Sequence, residues 1–186
     1  MHEIFLTGIP KPQIDKMVKD FEREWQTWLD LKHPNIVNLL GIYYPPKSSV
    51  PVFLLEKMDT SLRHYLDNHS KAVFLLQDKV HILLQVAEGL CHLHDHDPPL
   101  VHHDLSPNNI LLNENSLQTK LTDFGMTRAI NLSTRQSSVK GTPAFMPPEA
   151  FVIPLHYNEK LDVFSYGNCI VTTLTHKAQT LSLIHI

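Results

Sequence analysis

The stretch VHHDLSPNNILL, residues 101–112, decides how the rest of the chain is read. Asp104 is followed by Asn109 across Leu-Ser-Pro-Asn, and the run then turns apolar. Ser, Pro and Asn are turn formers, so residues 102–109 read as a loop that feeds a short strand. Alone, the two histidines and the aspartate could be metal ligands, ordinary loop residues or parts of a catalytic loop. The rest of the chain has to decide.

Downstream, NILLNENSLQTKLTDFG reads as two short strands around an Asn-rich turn, and Asp123 follows the second strand directly. A carboxylate at a strand end is aimed rigidly. Magnesium takes oxygen ligands in octahedral geometry and keeps several waters, so one or two carboxylates beside substrate phosphates suffice. Asp123 supplies such a carboxylate, and Asn109 a neutral carbonyl oxygen that adds no negative charge. Asp104, clear of the metal, can orient or deprotonate an attacking hydroxyl. Phosphoryl transfer needs this set because its catalysis is mostly positioning and charge neutralisation.

Working outward, residues 15–32 have a helical period, with Phe21, Glu24, Trp28 and Leu31 on one face and Pro34 as the stop. NIVNLLGIYY and VPVFLLEKM read as buried strands, and TSLRHYL as a helix start with a Ser or Thr cap. A long helix is expected over residues 77–95, with Val80, Leu83, Leu84, Ala87, Cys91 and His94 as its apolar stripe. A last apolar helix begins near Leu161. The order suggests an α+β chain in two unequal parts.

Composition narrows the classes. A chain of 186 residues suits one domain with a real core. A formal net charge of −3 makes no electrostatic case for nucleic acid or an anionic membrane. Two cysteines outside any CxxC pair argue against a disulfide framework or thiolate zinc site and fit a reducing compartment. No apolar run spans a bilayer and no secretion signal is read, so an intracellular location is expected. The thirteen histidines raise the question of a metal site. In CHLHDHD only His92 and His96 share a helix face, so helix-end histidines are the better reading.

These motifs, in this order, resemble the eukaryotic protein kinase family. HHDLSPNNILL resembles the catalytic loop H-R-D-L-x-x-x-N, and DFG the metal-binding motif. FEREWQTWLDLKHPNIVNLLGIYY is similar to the C helix and next strand, with Glu24 at the ion-pairing position. VFLLEKMDTSLRHYL resembles the hinge, GTPAFMPPEA the end of the activation segment, and LDVFSYG the start of the F helix. The likeness covers about residues 15–175.

The resemblance implies the bilobal kinase fold, ATP and Mg2+ as cofactors, and a protein hydroxyl as acceptor. It gives Asp104 the nucleophile, Asn109 and Asp123 the magnesium, and Leu55 (the gatekeeper), Glu56, Lys57 and Met58 the adenine. His102 becomes a core histidine near Phe124, stacked with Leu39 and Trp28. Gly125 completes the DFG motif, Glu149 the A-P-E motif, and Asp162 opens the F-helix motif.

Departures from the family pattern carry their own expectations. No G-x-G-x-x-G loop and no V-A-I-K strand precede the C-helix stretch, so Glu24 lacks its lysine. The later large-lobe helices are not matched either. Residues 1–180 are therefore expected to be a kinase domain truncated at both ends, inactive as it stands. The terminal LSLIHI, residues 181–186, is what a common transposase adapter encodes in this frame and is expected to be non-native. His103 replaces the arginine of H-R-D and, being no permanent cation, is expected to weaken any response to phosphorylation or make it depend on pH. Pro147 replaces the alanine of A-P-E, and Ser106 stands where serine/threonine kinases usually carry lysine. GTPAFMPPE leans towards Ser/Thr acceptors over Tyr. Ser133, Thr134, Ser137 and Ser138 read equally well as phosphorylation sites or as ordinary loop residues. The alternative is a pseudokinase-like scaffold, against which Asp104, Asn109 and Asp123 argue together.

Overall fold

The computed structural model describes residues 28–46, 52–69, 74–123, 128–129, 142–151 and 158–177. Glu24, Phe124, Gly125, the four loop hydroxyls from Ser133 to Ser138, and residues 181–186 lie outside them. The chain divides into two compact units, one of residues 1–32 with 37–57, the other of residues 33–36 with 58–186. The class is α+β.

In the smaller unit, helical residues 28–30 lead into an antiparallel pair, β1 (Leu39–Tyr43) and β2 (Val52–Leu55), which carries an irregularity between Leu39 and Gly41. Trp28 is buried, donates its indole N–H to Val37 O at 2.9 Å, and meets the Phe53 ring edge-on at 5.4 Å. A buried indole needs such an acceptor.

The larger unit contains β3 (Thr60–Ser61), α1 (Leu62–Asn68), α2 (Leu76–His94), β4 (Leu100–Val101), β5 (Ile110–Leu112), β6 (Thr119–Leu121), β7 (Arg128–Ala129) and α3 (Lys160–Thr175), with two 3-10 turns, Pro143–Phe145 and Pro148–Phe151. Sheet order is β3-β5-β6, all antiparallel, and β4 pairs with β7. The hairpin expected around the Asn-rich turn is the β5–β6 pair, with Ile110 opposite Leu121. Ser61 caps α1 by accepting the His64 N–H at 3.2 Å, as the TS signal predicts.

The core is apolar α2 laid against the sheet. Ile82, Val86 and Leu93 are fully buried with Leu62, Leu112 and Leu121. Asn35 ties the loop before β1 to this core. Its amide donates to Gln85 Oε1 and Thr119 O, while its carbonyl accepts from Leu121 N–H. Gly89 permits the close approach, since a Cβ there would lie 2.9 Å from Asn35 O and 3.0 Å from Leu121 Cδ1.

The expected stripe on this helix is corrected by the structure. Val80 (54% exposed), Leu84 and Cys91 face outward, and the buried face is Lys79, Ile82, Leu83, Val86, Gly89, Leu90 and Leu93. The helix is apolar on both sides, so its period fixed the element but not the phase. Lys79 is polar yet buried because its stem lies inside and its ammonium sits 5.3 Å over the Phe74 ring. His92 and His94 lie in the last turn of α2, as the helix-end reading expects, but His96 falls beyond the helix and so shares no helix face with His92. His92 stacks on His33 at 4.8 Å, while His96 bonds the Pro98 carbonyl. Among the described residues no group of three His, Cys, Asp or Glu could hold a metal, and no helix is long and apolar enough to cross a membrane.

Candidate active site

The loop between β4 and β5 carries His102 to Asn109. His102 is fully buried, and its Nε2 lies 3.0 Å from Thr122 O. A carbonyl only accepts, so Nε2 carries the proton and Nδ1 faces the Asp104 N–H at 3.4 Å. The ring thereby links the loop to the strand end that holds Asp123.

His103 has φ 70°, in the left-handed region that disfavours a residue with a Cβ. Asp162, in the first turn of α3, holds it there. Oδ2 accepts the His102 N–H at 2.8 Å, and Oδ1 accepts the His103 N–H at 3.0 Å. Oδ2 also accepts from His94 Nε2 at 2.9 Å. Burial alone would push this carboxyl up. The His94 hydrogen bond, the His102 ring and the two amide N–H groups outweigh it and hold Asp162 below the usual carboxylate range.

Asp104 follows and is half-buried. Its Oδ1 accepts both the Thr142 N–H at 2.8 Å and the Thr142 hydroxyl at 2.7 Å. Asn109 folds back so that its Nδ2–H donates to Asp104 O at 2.8 Å, and its own carbonyl accepts from Thr122 N–H at 3.0 Å. With its amide nitrogen so used, Asn109 turns its side-chain oxygen away from Asp104 as an acceptor. Asp123, one residue beyond Thr122, is exposed and has φ 63°, a conformation that Asp tolerates better than most residues. The loop and the strand end are thus stitched by side chain and backbone, with Asp104 and Asn109 on this joint and Asp123 one residue beyond it.

The remaining candidates are placed as follows. Leu55 ends β2 half-buried, opposite Leu39. Glu56 returns to the sheet twice, donating its N–H to Asn38 O at 3.0 Å and accepting the Asn38 N–H at Oε1 at 2.6 Å. That N–H is therefore already engaged. Lys57 is exposed and Met58 half-buried. Glu149 is exposed in the second 3-10 turn, beside buried Pro147. Phe145, buried in the first such turn, accepts the Ser165 hydroxyl at 2.8 Å, which fixes this segment on α3.

Sequence reading missed three participants: Thr142, Thr122 and His94. Thr142 lay in the quoted GTP run without being singled out, although a hydroxyl beside a turn Pro was the available signal. Thr122 acts only through its backbone, which side-chain chemistry cannot reveal. His94 was assigned to an apolar stripe, and no local pattern reports a partner 68 residues away.

The family model described as "Protein kinase domain" matches residues 8–182. The rice (Oryza sativa subsp. japonica) protein named "Probable serine/threonine-protein kinase WNK5" is 31% identical over 162 residues, covering 87% of this chain and 48% of that protein. A protein of Arabidopsis thaliana named as a leucine-rich repeat receptor-like serine/threonine-protein kinase is 32% identical, over 84% of this chain and 18% of its own length. "Probable serine/threonine-protein kinase WNK4" of the same plant is 42% identical over 91 residues, 49% of this chain and 16% of that protein. The chain thus spans about half the length of these curated relatives, or less. A match over nearly the whole chain, with the loop, strand end and α3 carboxylate in one arrangement, leads to one assignment: the chain belongs to the protein kinase family.

Proposed function

We propose that the protein of which this chain is a part transfers the γ-phosphoryl group of ATP to a Ser or Thr hydroxyl of a protein substrate. The observation that carries the reading is the double hydrogen bond from Thr142 to one oxygen of Asp104. It anchors Oδ1, and with no partner for Oδ2 among the described residues that oxygen is the one offered to a substrate hydroxyl, which is what a positioning base requires. The relatives' names support Ser/Thr over Tyr.

The residues fit magnesium. Asn109 Oδ1 and the exposed Asp123 carboxylate are hard oxygen donors on a fixed joint, short of a full cage, as suits an ion that keeps waters and phosphate oxygens. When bound, magnesium and ATP supply the electrophilic phosphorus and neutralise its charge. The chain's own part is positional. Asp104 accepts the hydroxyl proton and points its oxygen at the acceptor, Asn109 and Asp123 hold the metal, and Leu55 to Met58 contact the adenine.

The test is a phosphotransfer assay on the longer protein with a Ser/Thr peptide library. Asp104→Asn should lower transfer at least about 100-fold while nucleotide binding persists. No transfer by the unaltered protein, with partner binding that ignores ATP, would refute the proposal in favour of a scaffold.

A further inference from the structure

We propose that His33 is an acid-sensitive latch: on taking up a proton it loosens residues 33–36 from α2 and β6. The latch needs no role for Asp104. Its working part is a hydrogen bond with only one possible direction. The Asn35 backbone N–H donates to His33 Nδ1 at 3.1 Å. A backbone N–H only donates, so Nδ1 presents its lone pair and the neutral ring carries its proton on Nε2. Imidazolium has an N–H on both nitrogens. Protonation therefore turns the acceptor into a second donor, and the Asn35 N–H is left facing it.

Asn35 is a costly place to lose a bond. The residue is only 4% exposed, so water does not readily replace the missing acceptor. It also fastens the loop on both sides. Its side-chain amide donates to Gln85 Oε1 on α2 and to Thr119 O on β6, and its carbonyl accepts the Leu121 N–H at 2.9 Å. The next residue, Ile36, forms a parallel bridge with Leu121. When the Asn35 backbone shifts to escape the new donor, these contacts to helix and strand loosen together.

The surroundings set where the latch responds. His92, in the last turn of α2, lies nearly flat against His33, with 4.8 Å between ring centroids and 20° between planes. Charge on one ring raises the cost of charge on the other. Partial burial, and after it the His92 ring, hold His33 below the ordinary histidine value, while Glu88, one turn earlier on α2, pulls the other way. The β6 residues that meet Asn35 are Thr119 and Leu121, neither of them ionisable, and Lys120 between them points to the other face of the strand. Because the folded value lies below the unfolded one, the latch is fully closed above about pH 6.5 and opens as pH falls from there through the folded value. The Asp162 carboxyl titrates below about 3.9, so the two acid effects occupy separate windows.

The experiment is NMR on this chain between about pH 8 and pH 5, the range in which histidine titrates. The His33 Cε1–H shift follows protonation. Amide exchange, divided by the intrinsic rate at each pH, gives the protection of the Asn35 and Leu121 amides. Both protections should fall about five- to tenfold as His33 takes up its proton, as loss of one hydrogen bond implies, while the Val86 amide in mid-α2 stays within about twofold. In His33→Asn the side-chain oxygen accepts the N–H two residues on, as in an Asx turn, and does not titrate in this range. Protection in that variant should hold at the native high-pH level throughout. Constant protection while His33 titrates in the unaltered chain overturns the proposal, and so does a His33 titration at or above the ordinary value. A fall at Val86 equal to that at Asn35 also overturns it, since the acid would then be unfolding the whole unit. An undiminished pH dependence in His33→Asn does the same. Three of these readings come from the unaltered chain, so a variant that fails to fold does not shield the proposal.

Discussion

Asp162→Ala should be among the most damaging single changes in this chain. Removing the carboxylate strands three donors: the His102 N–H, the His103 N–H and His94 Nε2–H. His102 is 0% exposed, so water cannot replace the lost acceptor there. A buried donor left unpaired costs about 1–3 kcal/mol, and because His94 and His103 are only partly buried the three together stay towards the lower end of roughly 3–9 kcal/mol. Part of this is recovered because a charge no longer has to be buried, and breaking buried pairs typically costs about 3–5 kcal/mol net. For a chain of this size that corresponds to a fall in Tm of roughly 6–20 °C. Asp162→Asn should fall between alanine and the native residue, because its one oxygen serves one side of the clamp and its NH2 meets a donor on the other. The assay is urea and thermal unfolding followed by circular dichroism. The pH dependence follows from the depressed carboxyl: its stabilisation is complete above the ordinary carboxylate pKa of about 3.9 and is lost as pH falls through the lower folded value. A loss under about 1 kcal/mol in Asp162→Ala, or an acid limb unchanged by it, would refute the clamp.

Three further outcomes are expected. Ile82→Ala should cost about 2–5 kcal/mol, while Val80→Ser should stay within about 0.5 kcal/mol, and denaturant midpoints of the pair report which face of α2 is buried. Gly89→Ala should destabilise by about 1–3 kcal/mol in the same measurement, since its Cβ would meet the Asn35 carbonyl at 2.9 Å, backbone that cannot move aside cheaply. Ser106→Ala should be neutral or raise stability by up to about 1 kcal/mol by calorimetry, because the Ser106 hydroxyl is buried with no hydrogen-bond partner among the described residues.

Much of this protein is written locally. The spacing of Asp104, Asn109 and Asp123, the β5–β6 hairpin around its Asn-rich turn, and the Ser61 cap follow from neighbours in sequence. Each is a short-range choice of turn chemistry, strand propensity or cap, so a reader of the sequence can make it. The family itself was legible for the same reason: its motifs are contiguous strings in a fixed order.

Tertiary structure decided what contiguous strings cannot encode. The phase of α2 was open because both sides are apolar, and only packing against Asn35 and Leu121 selected the Ile82–Val86–Leu93 face. Thr142 became Asp104's partner across 38 residues, and Asp162 joined His94 to the loop across 68 and 60. The sequence by itself named the candidate groups and the short elements in which they sit. The direction of those groups came from a buried carboxylate that needs donors and a left-handed His103 that needs holding, two demands that exist only once the chain has closed on itself.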